Sequence, residues 1–599
     1  MKKNQLILFV LTLLLLPFSH INANTYSISG YVKDQSNGNV LVGANVFIEG
    51  TSIGTAADQK GFYEITNIKE GNYSLKASYI GYKTYSDSVS LQGDEKKYLL
   101  DFNLNYTTIE GNEVVVTAQA KGQMDAINRQ LNSKSLVNII SSDRIQELPD
   151  ANAAESVARV PGVSIRREGG EGNKVVIRGL SPKYNNVTVN GVKLASTDND
   201  DRSTDLSMIS QYMLEGIEVT KAGTPDQDAD VLGGTVNFQL KKAKPGGFHG
   251  NIIAQGMYNG LRNSYGDDKF VLDLSRRFWN DRIGILAQID TENRDRSSHV
   301  VSPWYSLYGE QIDSINPLQL NGLGLNDWQR LNDRNNRLQV IDFNIPNGNI
   351  SYSNLSSEID KDLTRYAIYY SLDDQFRFMG SMTGLNKISV LTESWKYEQS
   401  FRSNLHFDAF YSFSQSINDS SGYNFWFDEP FAYDTSTYNQ SLEVVQKIAK
   451  NDSINTALNR YDFDRNISNE NERSFGGNLK YDFRLSNFIS GNLKFGFKER
   501  TKKRSFDRHH EFGNVAAAAG LSEPRDSLIS KFNITYESLD SRRIPLLAFI
   551  DENYSAENFF KGKYSFGAVA DLDRMMSVYI IIFQKIGINK LQTPLLMNM

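Results

Sequence analysis

The sequence predicts a mainly β protein in three parts: an N-terminal β-sandwich, a small α+β plug, and an antiparallel transmembrane β-barrel of which roughly eight strands are readable. Three observations carry this. Residues Tyr26 to Leu104 alternate in period two, with turn signals at short intervals, the pattern of short strands packed in two layers. Leu148 to Leu194 read as a short helix stopped by Pro161-Gly162, followed by strands broken at glycines. From about Phe248 onward the alternation lengthens and becomes amphipathic, so one face can meet lipid while the other meets an aqueous lumen. A mean hydropathy of −0.43 discourages helical spans. It does not argue against a barrel, whose lumen and loops stay polar.

Composition narrows the classes further. The 599 residues carry 64 basic and 70 acidic side chains, a formal net charge of −6, which gives no reason to expect nucleic acid. With no cysteine, the chain has no disulfides, no thiolate metal site and no lipid-modified N-terminal cysteine. Residues 1–23 have the layout of a secretory signal peptide: Lys2-Lys3, an apolar run from Leu6 to Phe18, and the small Ala23 at the cleavage position. The apolar run is short for a helix that must cross a bilayer, and the Ile-rich piece from Tyr579 to Phe583 is shorter still.

Within residues 24–106, runs such as Ile28–Val32, Ala44–Ile48 and Tyr73–Ala77 are strands punctuated by Gly50, Gly61 and Gly71. The pieces Gly43-Ala44-Asn45-Val46, Thr55–Gly61 and Tyr79-Ile80-Gly81-Tyr82 resemble the carboxypeptidase regulatory-like domain. That resemblance implies a module without catalytic residues and with a structural or partner-binding role.

Residues 124–247 carry the most informative signals. Ala153, Ala154, Val157 and Val160 fall on one helical face. Asp150 suits the N-cap, and Pro161-Gly162 ends the helix. Val175–Ile177, Val187 and Val189 read as strands, and Asn190-Gly191 as a tight hairpin turn. In order, Pro161-Gly162-Val163, Ile177-Arg178-Gly179-Leu180, Asn190-Gly191, Ile217-Glu218-Val219 and Gly233-Gly234-Thr235-Val236-Asn237 resemble the landmarks of the plug domain of TonB-dependent outer-membrane receptors. The linker 107–123 holds Glu113-Val114-Val115-Val116-Thr117-Ala118. Its β-branched run favours extended backbone, and its polar flanks leave it free to add a strand to a partner's sheet. It resembles the TonB box, which pairs with the periplasmic end of TonB.

Residues 248–599 form the barrel part. In the hairpin Ser474 to Thr501, Phe475, Leu479, Tyr481 and Phe483 alternate with polar residues, and after the turn Arg484 to Asn487 so do Ile489, Leu493, Phe495 and Phe497. Phe270, Leu272, Leu274 and Phe278 pair across Asn280-Asp281 with Ile283, Ile285, Ala287 and Ile289. Leu405, Phe407, Ala409, Tyr411 and Phe413 make another strand, and one downward strand is expected between Tyr366 and Gln399. The polar stretches 297–363, 415–470 and 502–560 read as long loops, and Lys563 to Leu572 as the last strand. A barrel enclosing a plug needs on the order of 22 strands, and the run after Arg574 lacks a closing amphipathic strand. A truncated or frame-shifted product, or an incomplete gene model, is therefore expected.

Signatures of catalysis are lacking. There is no phosphate-binding Gly-x-x-x-x-Gly-Lys-Ser/Thr loop and no His-Glu-x-x-His pair. His509-His510-Glu511 reads as a solvated loop, because neighbours on a strand would point to opposite faces. The acidic runs Asp198–Asp201 and Asp226, Asp228, Asp230 read as solvated turns rather than calcium sites. Tyr423, Phe425, Trp426 and Phe427 read as an aromatic-rich loop able to stack on sugar rings. The resemblance implies active uptake of a scarce or bulky ligand, a glycan or a siderophore, across the outer membrane of a Gram-negative bacterium. It implies TonB with its proton-driven inner-membrane complex, outer-membrane lipid and a surface lipoprotein as partners, and the N-terminal domain in the periplasm. No enzyme activity, cofactor or metal is expected. An outer-membrane-anchored adhesin or sensor, and a non-functional truncated fragment, are the alternatives.

Overall fold

The computed structural model describes residues 26–105, 130 and 136–586, leaving aside 36–37, 50, 52, 80–81, 94–96, 148–151, 200, 224–227, 229–230, 308–317, 402–403, 431, 434–440, 451–455, 485–489, 515–529, 532–543 and 556–558. The leader 1–23, the Glu113–Ala118 segment and Asp150 therefore lie outside the described residues.

The N-terminal part is a two-sheet sandwich of β1 (Tyr26–Asp34), β2 (Asn45–Ile48), β3 (Gly54–Ala56), β4 (Phe62–Ile68), β5 (Gly71–Ser78), β6 (Tyr85–Leu91), β7 (Lys97–Leu99) and β8 (Phe102–Leu104). One sheet runs β4-β1-β7 with β8 also on β1, and the other β3-β2-β5-β6. Alternation puts Ile28, Val32, Val46, Ile48, Leu75 and Phe102 in the shared core. Asp58 makes the expected turn: its carboxylate accepts from the amides of Lys60 and Phe62 at 2.8 and 2.9 Å, and Gly61 supplies the left-handed residue, φ +71°.

The second part holds β9 (Val137–Ser141), α1 (Ser142–Glu147), α2 (Ala153–Val157), β10 (Val163–Glu168), β11 (Glu171–Ile177), β12 (Asn185–Val189), β13 (Val192–Lys193), β14 (Leu214–Thr220) and β15 (Gly234–Leu240). Ala153, Ala154, Val157 and Val160 are all buried, as the helical spacing requires. The observed cap of α2 is Asn152, whose Oδ1 accepts from the amides of Ala154 and Glu155 at 3.0 and 3.3 Å. An amide side chain two residues nearer the helix takes the capping role expected of Asp150. Three of the five landmark segments lie in one sheet of order β13-β12-β15-β14-β9, and the other two flank the separate β10-β11 hairpin.

The third part is a wall of ten strands: β16 (Phe248–Asn259), β17 (Ser264–Phe278), β18 (Ile283–Asp295), β19 (Ser298–Leu307), β20 (Leu318–Ile345), β21 (Gly348–Ser371), β22 (Phe376–Phe401), β23 (Leu405–Glu429), β24 (Ala457–Arg484) and β25 (Ser490–Asn514). Their order is β16-β17-β18-β20-β21-β22-β23-β24-β25, with β19 continuing the line of β18 along β20. The strands from β16 to β22 pair antiparallel, and β22 is the strand expected between Tyr366 and Gln399.

Two expectations fail here. The stretches 297–363 and 415–470, and the start of 502–560, are largely strand rather than loop. Strands of 24 to 28 residues far exceed the length needed to cross a bilayer, which is about 9–11 residues. Beyond that length the away face no longer needs to be apolar, so the period-two signal fades while the ladder continues. Lys563 to Leu572 is not a strand. It is irregular apart from an isolated Ile550–Ala570 bridge, and α4 (Leu572–Ile586) follows it, α3 (Leu442–Ile448) lying earlier between β23 and β24. No described helix is long and apolar enough to cross a membrane.

The wall's two faces differ. Leu286, Leu338, Val340, Ile359, Ile388 and Val390 share a core with Ile217, Val236 and Phe238 of the second part. On the opposite face Phe270, Leu274, Ile289, Ile341, Leu479 and Phe497 are exposed, as the lipid-facing reading of the alternation requires. Farther along the same strands Leu323, Leu325, Ile368 and Phe425 are covered by Leu546, Phe549, Met575 and Val578.

Candidate functional site

The site lies where the tip of the β10–β11 hairpin and the 195–210 segment meet the wall. The hairpin turns at Gly169-Gly170, both in the left-handed region at φ +56° and +78°, which brings Glu168 and Glu171 to its tip. Glu171 is buried and links three structures. It accepts from Asn152 Nδ2, the α2 cap, at 2.9 Å. It also faces Arg296 of the wall at 3.3 Å and forms a close ion pair with Arg334 on β20.

Arg334 in turn pairs with Glu292 at 2.5 Å, Lys269 reaches Glu292 at 3.0 Å and Asp290 at 3.7 Å, and the Ser210 hydroxyl donates to Asp290. Arg334, Glu171, Glu292, Asp290 and Lys269 are each at most 6% exposed. Buried charge of both signs is tolerated because each group has a partner. This cluster was missed in the sequence, although a signal is there: Asp290, Glu292, Arg294 and Arg296 put a charge at every second position of a strand whose other face carries Ile285 and Ile289.

A second set of contacts zips the chain at 195–197 onto β23. Ala195 N donates to Ser414 Oγ at 3.0 Å, the Ser416 hydroxyl donates to Ser196 O, and Asn418 Nδ2 donates to Thr197 O at 2.7 Å. Positions 414, 416 and 418 share one strand face. Ser196 N donates to Glu470 at 2.9 Å, and Glu470 is held by Lys502 at 2.7 Å. Lys361 pairs with Asp205 at 3.1 Å. Burial pushes the Asp205 carboxyl up, but the Lys361 charge and hydrogen bonds from Ser207 outweigh it and leave the carboxyl below its ordinary value.

The landmark glycines and their neighbours serve turns and close approaches. Gly162 (φ +75°) accepts from Arg178 N at 3.0 Å through its carbonyl. Arg178 and Gly179 (φ +54° and +75°) make the turn after buried Ile177, and Pro161 precedes the Gly162 turn as expected. Asn190 and Gly191 (φ +49° and +80°) join Val189 to Val192. A Cβ on Gly233 would lie 2.0 Å from Asn185 Oδ1, and one on Gly234 2.6 Å from Thr220 O. These residues shape the domain and none of them contacts the cavity below.

Of the acidic runs, Asp200, Asp226 and Asp230 lie outside the described residues, and the described members are engaged rather than solvated. Asp198 pairs with Lys174, and Asp228 meets Lys498 and Arg500 of β25 at 3.0 Å. Arg504 Nη1 donates to Asp201 O at 2.8 Å. His509-His510-Glu511 is likewise strand, part of β25: His510 meets Asp464 at 2.8 Å, while His509 lies against Phe463. Among the described residues no group of His, Asp and Glu is placed to hold a metal ion.

Between hairpin tip and wall opens a cavity of about 970 Å³. Glu168, Glu171, Asn173 and Ser207 form its floor, and Trp328, Tyr369, Phe378 and Trp426 contribute aromatic surface. Arg330, Asn332, Lys361, Asn386 and Asn424 add polar groups. The Tyr423–Phe427 run is on strand β23, not in a loop. Alternation divides it: Asn424 and Trp426 face the cavity, whereas Phe425 and Phe427 are buried among the apolar residues of the opposite face.

A small mixed sheet is thus seated by buried charges against a strand wall with an exposed apolar far face. Sequence comparison identifies two domains. The carboxypeptidase regulatory-like domain matches residues 28–116, and the TonB-dependent receptor plug domain residues 129–235. TonB-dependent receptor P39 of Formosa agariphila is 26% identical over 254 residues, 40% of this chain and 22% of that protein. The vitamin B12 transporter BtuB of Vibrio vulnificus is 27% identical over 129 residues, 21% of this chain and 20% of that protein. The matches thus span about a fifth of the length of these curated relatives. Among solved structures, FpvA of P. aeruginosa, bound to a heterologous pyoverdine, is 13% identical, covering 64% of this chain and 54% of that chain with a TM-score of 0.35. The chain therefore carries a carboxypeptidase regulatory-like domain over residues 28–116 and, over residues 129–235, the plug domain of TonB-dependent receptors, which are outer-membrane β-barrels of Gram-negative bacteria.

Proposed function

We propose that the protein takes part in TonB-dependent uptake of a bulky ligand across the outer membrane, as receptor and transporter rather than enzyme. The observation that carries this reading is the seating of the plug: a separate small sheet held against the wall by polar and ionic links, with a cavity at its apex. The outer membrane has no nucleotide supply, and the chain has no phosphate-binding loop, so work must come from outside. TonB, with its inner-membrane proton-driven complex, would pair with Glu113–Ala118 and pull. The first described strand downstream of that segment is β9, an edge strand that pairs only with β14 among the described residues. An edge strand opens at lower cost than a central one, since only one ladder must break. Ligand would enter at the cavity, and lipid would contact the exposed apolar face. A surface lipoprotein partner and the periplasmic placement of the sandwich belong to the same proposal.

In a full-length version of the protein, Val115→Pro should abolish uptake and leave ligand binding intact, because proline removes a ladder donor. The cysteine-free chain also permits a lock. Ile139 and Glu218 are direct partners across β9 and β14, so Ile139→Cys with Glu218→Cys should block uptake until a reductant is added. Transport that persists in both variants would refute the pulling role of this segment.

A further inference from the structure

Resting on the receptor reading above, we propose that the cavity takes an acidic, polyhydroxylated ring ligand: an oligosaccharide bearing carboxylate or sulfate groups. Most carboxylates at or beside the cavity are held in ion pairs, Asp462 with Arg460 at 2.5 Å among them, and the exposed Asp362 has only the charge of Lys387 within range. Glu168 and Asp205 face Lys361 at 3.7 and 3.1 Å, Glu171 faces Arg296 at 3.3 Å, and Asp464 meets His510 at 2.8 Å.

Two guanidiniums form no salt bridge among the described residues: Arg330 in the lining, with the Glu168 charge within range, and Arg365 beside the lining indoles of Trp328 and Trp426. Arg330 stands 4.2 Å from the Trp328 ring centre and donates to the Ser298 hydroxyl at 2.9 Å. Arg365 stands 5.0 Å from the same ring and 5.9 Å from that of Trp426, and its buried Nε has no partner. The strand register produces this arrangement: Trp328 and Arg365 are direct partners across β20 and β21, and Arg330 follows Trp328 on the same face. An indole beside two guanidiniums steadies their charge without neutralising it. Both remain available for charge-assisted bonds to an anion.

The neutral groups point to hydroxyls. Oδ1 atoms of Asn173, Asn386 and Asn424 are buried at the cavity with no donor, and a hydroxyl-rich ligand supplies donors. Flat surface is present too. A Cβ on Gly380 would lie 3.1 Å from the Trp426 ring, so that ring lies against bare backbone on one side. Gly384 and Gly422 sit so close that a Cβ on Gly384 would come within 3.4 Å of Gly422 Cα, leaving a stretch of wall without side chains. A neutral saccharide would leave both arginines unanswered, and a small inorganic anion would leave the amides and the aromatic surface unused.

The test is calorimetric titration of the detergent-solubilised chain with a short oligogalacturonate, a sulfated carrageenan oligomer, a neutral maltooligosaccharide and a ferric catecholate complex. The expected result is binding of one or both acidic saccharides, weakened by salt, roughly tenfold or more tighter than the neutral one. The first two arms separate carboxylate from sulfate as the anionic group. Arg365→Gln and Arg330→Gln should each weaken acidic-saccharide binding by roughly tenfold, with the melting transition unchanged. Should Arg365→Gln fail to fold, Arg330→Gln, whose guanidinium is partly exposed, carries the test. Equal binding of neutral and acidic saccharides, binding of the iron complex alone, or indifference to both arginine substitutions would overturn the assignment. Acidic-saccharide binding in a protein whose uptake ignores the proton gradient would instead refute the receptor reading and leave the ligand class standing.

Discussion

The plug side and the far side of the strand wall are built from the same strands yet obey opposite rules. On β18, Ile285 and Ile289 stand exposed on one face, while Asp290 and Glu292, one and three positions beyond Ile289, are buried on the other. One face meets a medium that cannot solvate charge. The other meets a domain that carries counter-charges, so burial there is made tolerable by Arg334, Lys269 and Glu171. Polarity along such a strand therefore reports what lies against each face and not whether the strand is buried.

Breaking the plug side should have the largest effect. Arg334→Met leaves Glu171 and Glu292 short of a partner in a buried setting, and should cost about 3–5 kcal/mol, read as a fall in unfolding stability in detergent. An unchanged midpoint would mean that the two carboxylates are solvated. The far side comes next. Leu479→Arg places a charge on the exposed apolar face and should cost about 2–4 kcal/mol if the position lies near the bilayer midplane, measured by folding into lipid vesicles. Wild-type stability there would remove the lipid-facing assignment.

A smaller effect isolates the plug itself. Asn152→Ala removes the α2 cap and the donor to Glu171, and should cost about 1 kcal/mol. A double-mutant cycle with Arg334→Met should show coupling, since both side chains meet Glu171. The smallest effect is in pH. The Asp205 carboxyl is lowered in the folded protein, so its contribution is complete above the ordinary Asp value of about 3.9. It is lost as pH falls through the lower folded value. Asp205→Asn should flatten that part of the acid-unfolding curve, and an unaltered curve would place the acid sensitivity elsewhere.

Legibility in the sequence followed the strength of local rules. The Asn190-Gly191 turn and the buried face of α2 were readable because turn chemistry and helical period are local properties. The Asn152 cap was displaced by two residues from the expected Asp150 because two polar residues compete near that helix start, and packing against Glu171 selects between them. The far reaches of β20 and β23 were taken for loops, since outside the lipid-exposed length nothing obliges one face to be apolar. The Tyr423–Phe427 aromatics were visible as a group, but their division between cavity and covered face appears only when the strand is in register with its neighbours.

By itself the sequence determined the order of the three parts, the turns that demand left-handed residues, and the face of each short amphipathic strand, all of which depend on residues close in the chain. The tertiary structure alone decided which charges are partners, since Glu171 and Arg334 are separated by 163 positions. It also decided which arginines at the cavity form no salt bridge among the described residues. Electrostatic pairing depends on distance through space, and a strand register that joins remote segments sets that distance.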